Sequence, residues 1–381
     1  MPALVSAGMK HLTEIIDSAP GFFASSYAEA RQLFRDACIA QGAALFEHPH
    51  PLKGPGGEAL AIDVALVGPA DASNLLMVIS GTHGVEGFAG SGCQVGWLRL
   101  YSRADLPPDT AVLLVHMLNP WGCAWARRQT EDNVDLNRNF CDFDETLPDN
   151  PLYEAIHNMI VNPMAVVRAA KDPSLAAFRA KSGDAALAVA LFSGQYQHSD
   201  GVGYGGSQAT WSNNALRTIV AKHAMTARRA VVLDVHTGLG PYGYGTLLSA
   251  EPAGSFGLQR ARSYFGPGVS AVSEDASVPY EVHGNLLAWI AQELPGEITC
   301  IAIEFGTLPL AGLLELQVDD CRMRNFHDAW AALSTTIRRD LTDFFFPATA
   351  DWLQAALLRS SQMIHLGLRG MQYDVARRSA N

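Results

Sequence analysis

The chain has 381 residues, of which 48% are hydrophobic and 17% are charged, and its formal net charge is −11. A chain of this length and low charge content can bury a large core, which argues against an intrinsically disordered protein. The negative charge disfavours nucleic acid as a partner, because nucleic-acid binding needs a positive surface.

Hydrophobic periodicity predicts helices and strands that alternate along the chain. The predicted helices span residues 26–42, 90–101, 152–191 with breaks near Pro163 and Pro173, 215–224, 325–344 and 351–365. The predicted strands span residues 60–67, 75–80, 111–118, 230–236, 245–250, 268–272 and 298–305. Several of these strands are nearly unbroken apolar runs, which is typical of strands that are covered on both faces. The sequence therefore predicts a three-layer α/β/α sandwich with a largely parallel mixed central sheet.

Nothing in the sequence divides the chain, since it has no Ser/Gly-rich or Pro-rich linker, charge run or internal repeat. One catalytic domain over residues 1–381, with helical extensions at both ends, is therefore expected. No apolar run approaches the roughly 20 residues that span a bilayer. The N-terminal segment is interrupted by polar residues, so no signal peptide and a cytoplasmic location are predicted. The six cysteines form no C-x-x-C pair and are expected to be buried free thiols.

Four side chains suited to metal or proton chemistry lie at or just past the ends of predicted strands. They are His83, Asn119, His236 and Glu304. Functional residues of α/β sheets gather at the carboxyl ends of the strands. These four side chains are therefore expected to share one site.

The segment from Gly81 to Gly87 predicts part of a metal site. His83 and Glu86 lie three residues apart in this glycine-bounded turn, so both side chains can face one point. An H-x-x-E pair alone is more often a solvent-facing pair, but a catalytic zinc uses three protein ligands and a water. His236, at the end of an apolar strand, is the best third ligand. The sequence predicts one Zn²⁺ per chain and leaves open a second metal, with Asp234 as a candidate ligand.

The ordered set of motifs resembles a known family. After the H-x-x-E turn come Asn119-Pro-Trp-Gly122, an arginine, Asp135-Leu-Asn-Arg-Asn-Phe140, a strand-end histidine and a late glutamate on a strand. From about residue 75 to 306 the chain resembles the zinc carboxypeptidases and their relatives, the succinylglutamate desuccinylases and aspartoacylases. Residues 194–213 are similar to a bacterial branch of that family without a settled substrate. The resemblance implies a zinc carboxypeptidase-like fold and hydrolysis of an amide bond next to a free carboxylate.

The resemblance also implies roles for the remaining polar residues. It makes zinc ligands of His83, Glu86 and His236. Asp135 falls on a carboxylate that supports a ligand histidine, although a turn residue is the structural alternative. Asn137 and Arg138 fall on the pair that binds the substrate carboxylate, which suits the planar guanidinium group.

The catalytic residues implied by the resemblance are an arginine and a glutamate. Arg128 fits the Arg-x-Thr pattern of the arginine that stabilises the developing oxyanion, and Arg127 is the alternative. Glu304 matches the general base that takes a proton from zinc-bound water. Because it lies on an otherwise apolar strand, its burial is costly unless it is functional or paired. A buried ion pair is therefore the structural alternative. The substrate-contacting tyrosine is assigned to Tyr280, with Tyr242 and Tyr244 as competitors.

Three classes of function are compared. The first is a zinc hydrolase acting on a small peptide or an acyl-amino acid, as a carboxypeptidase or as an N-acyl amino acid deacylase. A serine hydrolase is disfavoured, because residues 205–209 are a poor nucleophile elbow without a preceding buried strand. A non-catalytic binding protein on the same fold would have lost Glu304 or a zinc ligand, and none is lost. The oligomeric state is left open.

Overall fold

The structure is a computed structural model that describes residues 13–101, 105–274 and 282–379, and its centre is one mixed sheet. The strands are β1 (Ala44–Lys53), β2 (Ala59–Val67), β3 (Asn74–Ser80), β4 (Thr110–His116), β5 (Arg229–Tyr242), β6 (Thr246–Ser249), β7 (Val269–Ala271) and β8 (Glu297–Gly306). Their order across the sheet is β1-β2-β4-β3-β5-β8-β6-β7. The central strands β4, β3, β5 and β8 are mutually parallel, whereas β2 and β6 join them antiparallel on either side.

Helices lie between and around these strands. They are α1 (Tyr27–Ala40), α2 (Gly87–Leu100), α3 (Pro120–Ala124), α4 (Pro151–Ile160), α5 (Pro173–Phe192), α6 (Trp211–His223), α7 (Phe256–Phe265), α8 (Leu286–Glu293), α9 (Leu310–Asn325), α10 (His327–Phe345) and α11 (Ala350–Ser379). The side chains of Ser26, Thr210 and Asn285 precede α1, α6 and α8 and accept hydrogen bonds from first-turn N–H groups. These caps explain where the three helices begin. Among the described helices, none is both long enough and apolar enough to cross a membrane.

The two faces of the sheet are covered by different helices. In β3, Leu76 and Val78 belong to a core shared with α1, α2, α7 and α11, whereas Met77 and Ile79 belong to a core shared with α6 and α8. This alternation follows from the two-residue period of a strand. The predicted α/β/α sandwich with a mixed sheet is therefore confirmed. Helices α1 and α11, at the two ends of the described chain, both pack on the same face of the sheet and belong to one outer layer.

A third apolar cluster lies outside the two sheet faces. It joins α4, α5, α9 and α10 around Tyr153, Leu191 and Trp330. Val85, from the turn that follows β3, is buried in the same cluster. This helical group therefore packs directly against the turn that carries His83 and Glu86.

Candidate metal centre

The turn between β3 and α2 carries His83 and Glu86 and is held against a second loop. The N–H of Gly84 donates to the carbonyl of Arg128 over 3.0 Å. A Cβ atom at Gly84 would lie 2.2 Å from the carbonyl carbon of Gly122, so only glycine permits this close approach. Backbone packing alone therefore brings Arg128 beside the two predicted ligands.

Two more of the predicted strand-end residues, His236 and Glu304, face each other across neighbouring strands. His236 on β5 and Glu304 on β8 are paired directly in the parallel register. Both side chains line the same pocket as His83 and Glu86, at the carboxyl ends of the central strands. The geometry therefore brings these four residues into one site. Asn119, at the end of β4, caps α3 and accepts from the N–H of Gly122 over 2.8 Å, so its role is to shape the loop.

Three metal-ligand groups converge at the base of this pocket. Nδ1 of His83 lies 2.9 Å from Oε1 of Glu86, and Nδ1 of His236 lies 3.3 Å from Oε2 of Glu86. All three residues are buried, and one ligand atom from each lies within 4.8 Å of the others. Two imidazoles and a carboxylate are a ligand set that Zn²⁺ accepts, with a further position left for water or substrate.

The far side of each histidine ring faces a carboxylate. Nε2 of His83 lies 3.1 Å from Oδ1 of Asp135, and Nε2 of His236 lies 2.6 Å from Oδ2 of Asp234. The hydroxyl of Thr82 donates to Oδ1 of Asp234 over 2.8 Å. A ring proton on each Nε2 would donate to these carboxylates and leave the Nδ1 lone pairs directed at the cluster, as binding a metal there requires. Both oxygens of Asp234 are engaged, one by Thr82 and one by the ring of His236.

The two candidate arginines occupy different places. Arg128 lines the pocket, bonds to Asp135, and has its Nη2 atom 2.8 Å from Nε2 of His83. Arg127 instead forms an ion pair with Asp320 at 2.7 Å and is not among the pocket-lining residues. Nε2 of His83 cannot both donate to Asp135 and accept from Arg128, so its protonation decides which of the two contacts is a hydrogen bond. The geometry therefore favours Arg128 over Arg127 for contact with a ligand.

Asn137 and Arg138 also line the pocket. The side chain of Arg138 is 4% exposed, and it donates to the carbonyl of Asn137 over 2.9 Å and to the carbonyl of Phe192. Its Nε atom is buried without a hydrogen-bond partner among the described residues. Asn137 accepts a hydrogen bond from the N–H of Leu286 over 2.9 Å, which leaves its amide NH₂ group for a ligand. The two side chains are thus fixed in place and retain unused donors.

Burial and neighbouring charges set the protonation of the pocket carboxylates. Burial raises the pKa of Glu304 to about 7, with His236 opposing this shift and Glu86 adding to it. Burial also acts to raise the pKa of Glu86, but the His83 and His236 rings hold it well below its usual range. Arg128 likewise overcomes burial and keeps the pKa of Asp135 low. The pocket therefore combines an ionised ligand carboxylate with a second carboxyl group that titrates near neutral pH, as a general base requires.

The structure describes two of the three candidate substrate-contacting tyrosines. Tyr280 lies outside the described residues. Tyr242 is 47% exposed and its hydroxyl lies 2.6 Å from Oγ1 of Thr349. Tyr244 is 59% exposed and stacks under Arg359. Neither Tyr242 nor Tyr244 lines the pocket, so neither occupies the predicted substrate-contacting position.

The remaining pocket wall is apolar. It is formed by Phe192, Leu239, Leu248, Val272, Val282, Leu287, Ala302, Leu313 and Phe345. Two further polar side chains, Asn285 and Thr237, are among the described residues that line the pocket. The hydroxyl of Thr237 is buried and has no partner among the described residues, so it is available to a bound molecule.

Comparison with known proteins gives a family and a set of similar solved structures. Residues 23–359 match the family described as "Protein of unknown function (DUF2817)". No curated protein matches the chain significantly.

The similar solved structures include three enzymes of related type. Murein-tripeptide amidase MpaA from Escherichia coli O157 is 17% identical, with a TM-score of 0.36 over 77% of this chain and 92% of that chain. Carboxypeptidase A from Helicoverpa armigera is 13% identical, with a TM-score of 0.42 over 89% of this chain and 81% of that chain. The succinylglutamate desuccinylase from Chromobacterium violaceum is 14% identical, with a TM-score of 0.36 over 79% and 72%.

Proposed function

This chain belongs to the DUF2817 family, and we propose that it is a zinc-dependent hydrolase that cleaves an amide bond next to a free carboxylate. One observation carries the proposal. The Nδ1 atoms of His83 and His236 and the carboxylate of Glu86 converge in a pocket that also holds Glu304 and Arg138. Such a pocket combines a metal position, a proton acceptor and an anion-binding side chain within reach of one small molecule.

The catalytic roles follow from these positions. A Zn²⁺ ion held by His83, Glu86 and His236 would polarise the scissile carbonyl and lower the pKa of a bound water. Glu304 accepts a proton from the attacking water and passes it to the leaving nitrogen, for which a pKa near 7 is well suited. Arg128, which lines the pocket, stabilises negative charge on the carbonyl oxygen.

The substrate is held at its carboxylate end. Asn137 and Arg138 bind the free carboxylate through their unused donors, which places the neighbouring amide bond towards Glu304. The apolar wall, which includes Leu248 and Ala302, then surrounds the side chain next to that carboxylate. We therefore expect substrates whose terminal residue has an apolar side chain, since a charged one would lose its hydration there without a partner.

Both a C-terminal peptide bond and the amide bond of an N-acyl amino acid satisfy these contacts. We propose the carboxypeptidase-like reaction and keep the deacylase as the alternative. A non-catalytic binding protein would bind the same molecules without releasing an amine.

A hydrolysis screen tests the proposal. Purified protein is incubated with Zn²⁺ and with dipeptides and N-acyl amino acids, each as the free acid and as the C-terminal amide, and the released amine is measured. Activity on free acids that a chelator removes and Zn²⁺ restores is the expected result. Binding of these compounds without turnover would support the non-catalytic alternative.

Substituting His236 is expected to remove one equivalent of zinc per chain. His236→Ala deletes one of three ligands, and the two remaining groups cannot form a closed site. The zinc that survives dialysis against a weak chelator should therefore fall by one equivalent, measured by elemental analysis. His223→Ala, which changes a half-buried histidine at the end of α6, should retain the wild-type content. Equal zinc in the His236 and His223 variants would refute the ligand assignment.

Substituting Asp234 is expected to weaken metal binding without abolishing it. Asp234→Asn preserves the shape beside Thr82 but removes the negative charge that orients His236 and increases the basicity of its ring. Loss of such a supporting carboxylate typically costs about 10- to 100-fold in metal affinity. Competition with a chromogenic chelator measures the change in Kd. An unchanged Kd would mean that Asp234 serves the packing of β5 and not the metal.

A further inference from the structure

A second group of metal-ligand side chains lies outside the pocket. His157 is on α4, and His198 and Asp200 are in the loop of residues 193–206 that follows α5. One ligand atom from each of the three lies within 4.8 Å of the others. None of the three lines the pocket, so the mechanism proposed above does not use them.

The contact between His157 and Asp200 is not a hydrogen bond. Nε2 of His157 lies 3.6 Å from Oδ1 of Asp200, which is too long for one. It is close to the separation of about 3.3 Å between two ligand atoms that share a tetrahedral Zn²⁺ ion. Nδ1 of His157 is buried and has no hydrogen-bond partner among the described residues.

His198 completes the cluster from the loop. Its ring stacks on that of His157 with centroids 3.7 Å apart and planes inclined by 17°. Its Nε2 atom lies 2.6 Å from Oε2 of Glu154, one helical turn before His157. An imidazole binds a metal in its ring plane, so two stacked rings cannot share an ion until one turns. The side chain of His198 is 24% exposed and that of His157 is 11% exposed, so His198 has more room to rotate.

We propose that His157, His198 and Asp200 form a second metal site, suited by its imidazole and carboxylate ligands to Zn²⁺, which joins the 193–206 loop to α4. Glu154 supplies a fourth group and a second carboxylate, either to the ion or to the ring of His198. Asp200 is 49% exposed, which gives an ion access from solvent. This site is structural, and the proposal does not depend on the hydrolase activity of the pocket.

The loop that this ion would fix lies directly behind the carboxylate-binding side chain. The hydroxyl of Tyr196 donates to the carbonyl of Arg138 over 2.7 Å. The side chain of Asn133 donates to the carbonyls of Ser199 and Gly201 over 3.0 and 2.8 Å. Metal binding at the loop would therefore stabilise the backbone on both sides of the segment that carries Arg138.

Counting zinc tests the second site. Metal-free full-length protein is titrated with Zn²⁺, and stoichiometry is measured by calorimetry and by elemental analysis of the dialysed protein. The wild type is expected to bind two equivalents, and the double variant His157→Gln/His198→Gln is expected to bind one. The matched control is His327→Gln, because His327 is exposed and its Nδ1 lies 3.6 Å from a carboxylate oxygen of Asp328. It should bind two equivalents.

Two further measurements keep this proposal separate from that of the pocket. His236→Ala should still bind one equivalent, and the triple variant none. Zn²⁺ should slow amide hydrogen exchange in residues 193–206 of His236→Ala but not in the His157/His198 double variant. A wild type whose zinc is lost entirely in His236→Ala, or a double variant that binds as many ions as the wild type, overturns the second site. Loss of only the His236-dependent equivalent would instead leave the second site standing.

Discussion

Arg138→Ala is expected to raise KM for free-acid substrates by roughly 30- to several-thousand-fold, which corresponds to about 2–5 kcal/mol for truncating one side of a buried charge pair. The reason lies in how Arg138 is held. Its side chain is buried, and the carbonyls of Asn137 and Phe192 fix its terminal nitrogens. Because the guanidinium group is ordered before substrate arrives, binding a carboxylate costs little further side-chain entropy.

The control for this prediction compares two kinds of substrate, free acids and C-terminal amides, in the wild type and in two arginine variants. The wild type should hydrolyse free acids far better than the corresponding C-terminal amides, and Arg138→Ala should remove most of that preference. Arg339→Ala, at an exposed arginine on α10, should keep both KM and the preference. Thermal unfolding of Arg138→Ala shows whether lost activity reflects lost folding. Equal wild-type activity on free acids and amides would exclude a carboxylate-binding role for Arg138.

The central strands are predictable from the sequence, because burial on both faces leaves an unbroken apolar run. β3 and β4 are expected at residues 75–80 and 111–118 and lie at Asn74–Ser80 and Thr110–His116. β1 is not predicted, since its sequence is polar and contains Pro49 and Pro51. Among the described strands it pairs only with β2, at the edge of the sheet. An edge strand tolerates proline and exposed polar side chains because one of its sides forms no hydrogen bonds to another strand.

Helix α9 shows why some helices escape prediction. Its buried side chains include Asp320 and Arg322, which hide the apolar period that identifies an amphipathic helix. They are buried because partners distant in sequence neutralise them. Arg127 pairs with Asp320, and Asp172 pairs with Arg322 at 2.6 Å. Such pairings arise only from the tertiary fold, so the periodicity of one sequence cannot reveal them.

The site is more predictable than its surroundings. Strand ends in a parallel sheet converge, so His83, His236 and Glu304 can be grouped from the sequence alone. The support of His236 by Asp234 is not predicted, although the two-residue period of a strand places the side chains of an Asp-x-His segment on one face. The choice between Arg127 and Arg128 depends on the backbone packing of Gly84 against Arg128, which no local pattern encodes.

Glu304→Gln is expected to lower kcat by about 10²–10⁴-fold while zinc and substrate binding are retained. Glutamine preserves the size and burial of the side chain but cannot accept a proton. The measurement is steady-state kinetics on the best free-acid substrate, together with zinc content. The control is Glu297→Gln at the start of the same strand, where the carboxylate lies 3.4 Å from Arg229 and outside the pocket lining.

The pH–rate profile gives a second readout. A general base works as the ionised carboxylate, so the rate should rise as pH rises through its pKa. Burial raises the pKa of Glu304 to about 7, and a metal cation beside it would favour ionisation. The acidic limb of the wild type is therefore expected near or below neutral pH. This limb should be absent from the residual activity of Glu304→Gln.

The buried ion pair, which is the structural alternative for Glu304, predicts the opposite effect on stability. The folded pKa of about 7 lies above the ordinary value of 4.5, so between these values the folded state holds the proton more tightly than the unfolded state. The stability conferred by this group is present at low pH and is lost as pH rises towards 7. In the metal-free protein, Glu304→Gln should therefore raise the Tm at pH 8 and leave it nearly unchanged at about pH 4, below both pKa values. An ion pair would instead make the glutamine variant less stable at pH 8, with turnover largely retained.

Measuring Tm and kcat on this one variant separates the two roles of Glu304. Turnover within a few-fold of the wild type would remove Glu304 from the mechanism.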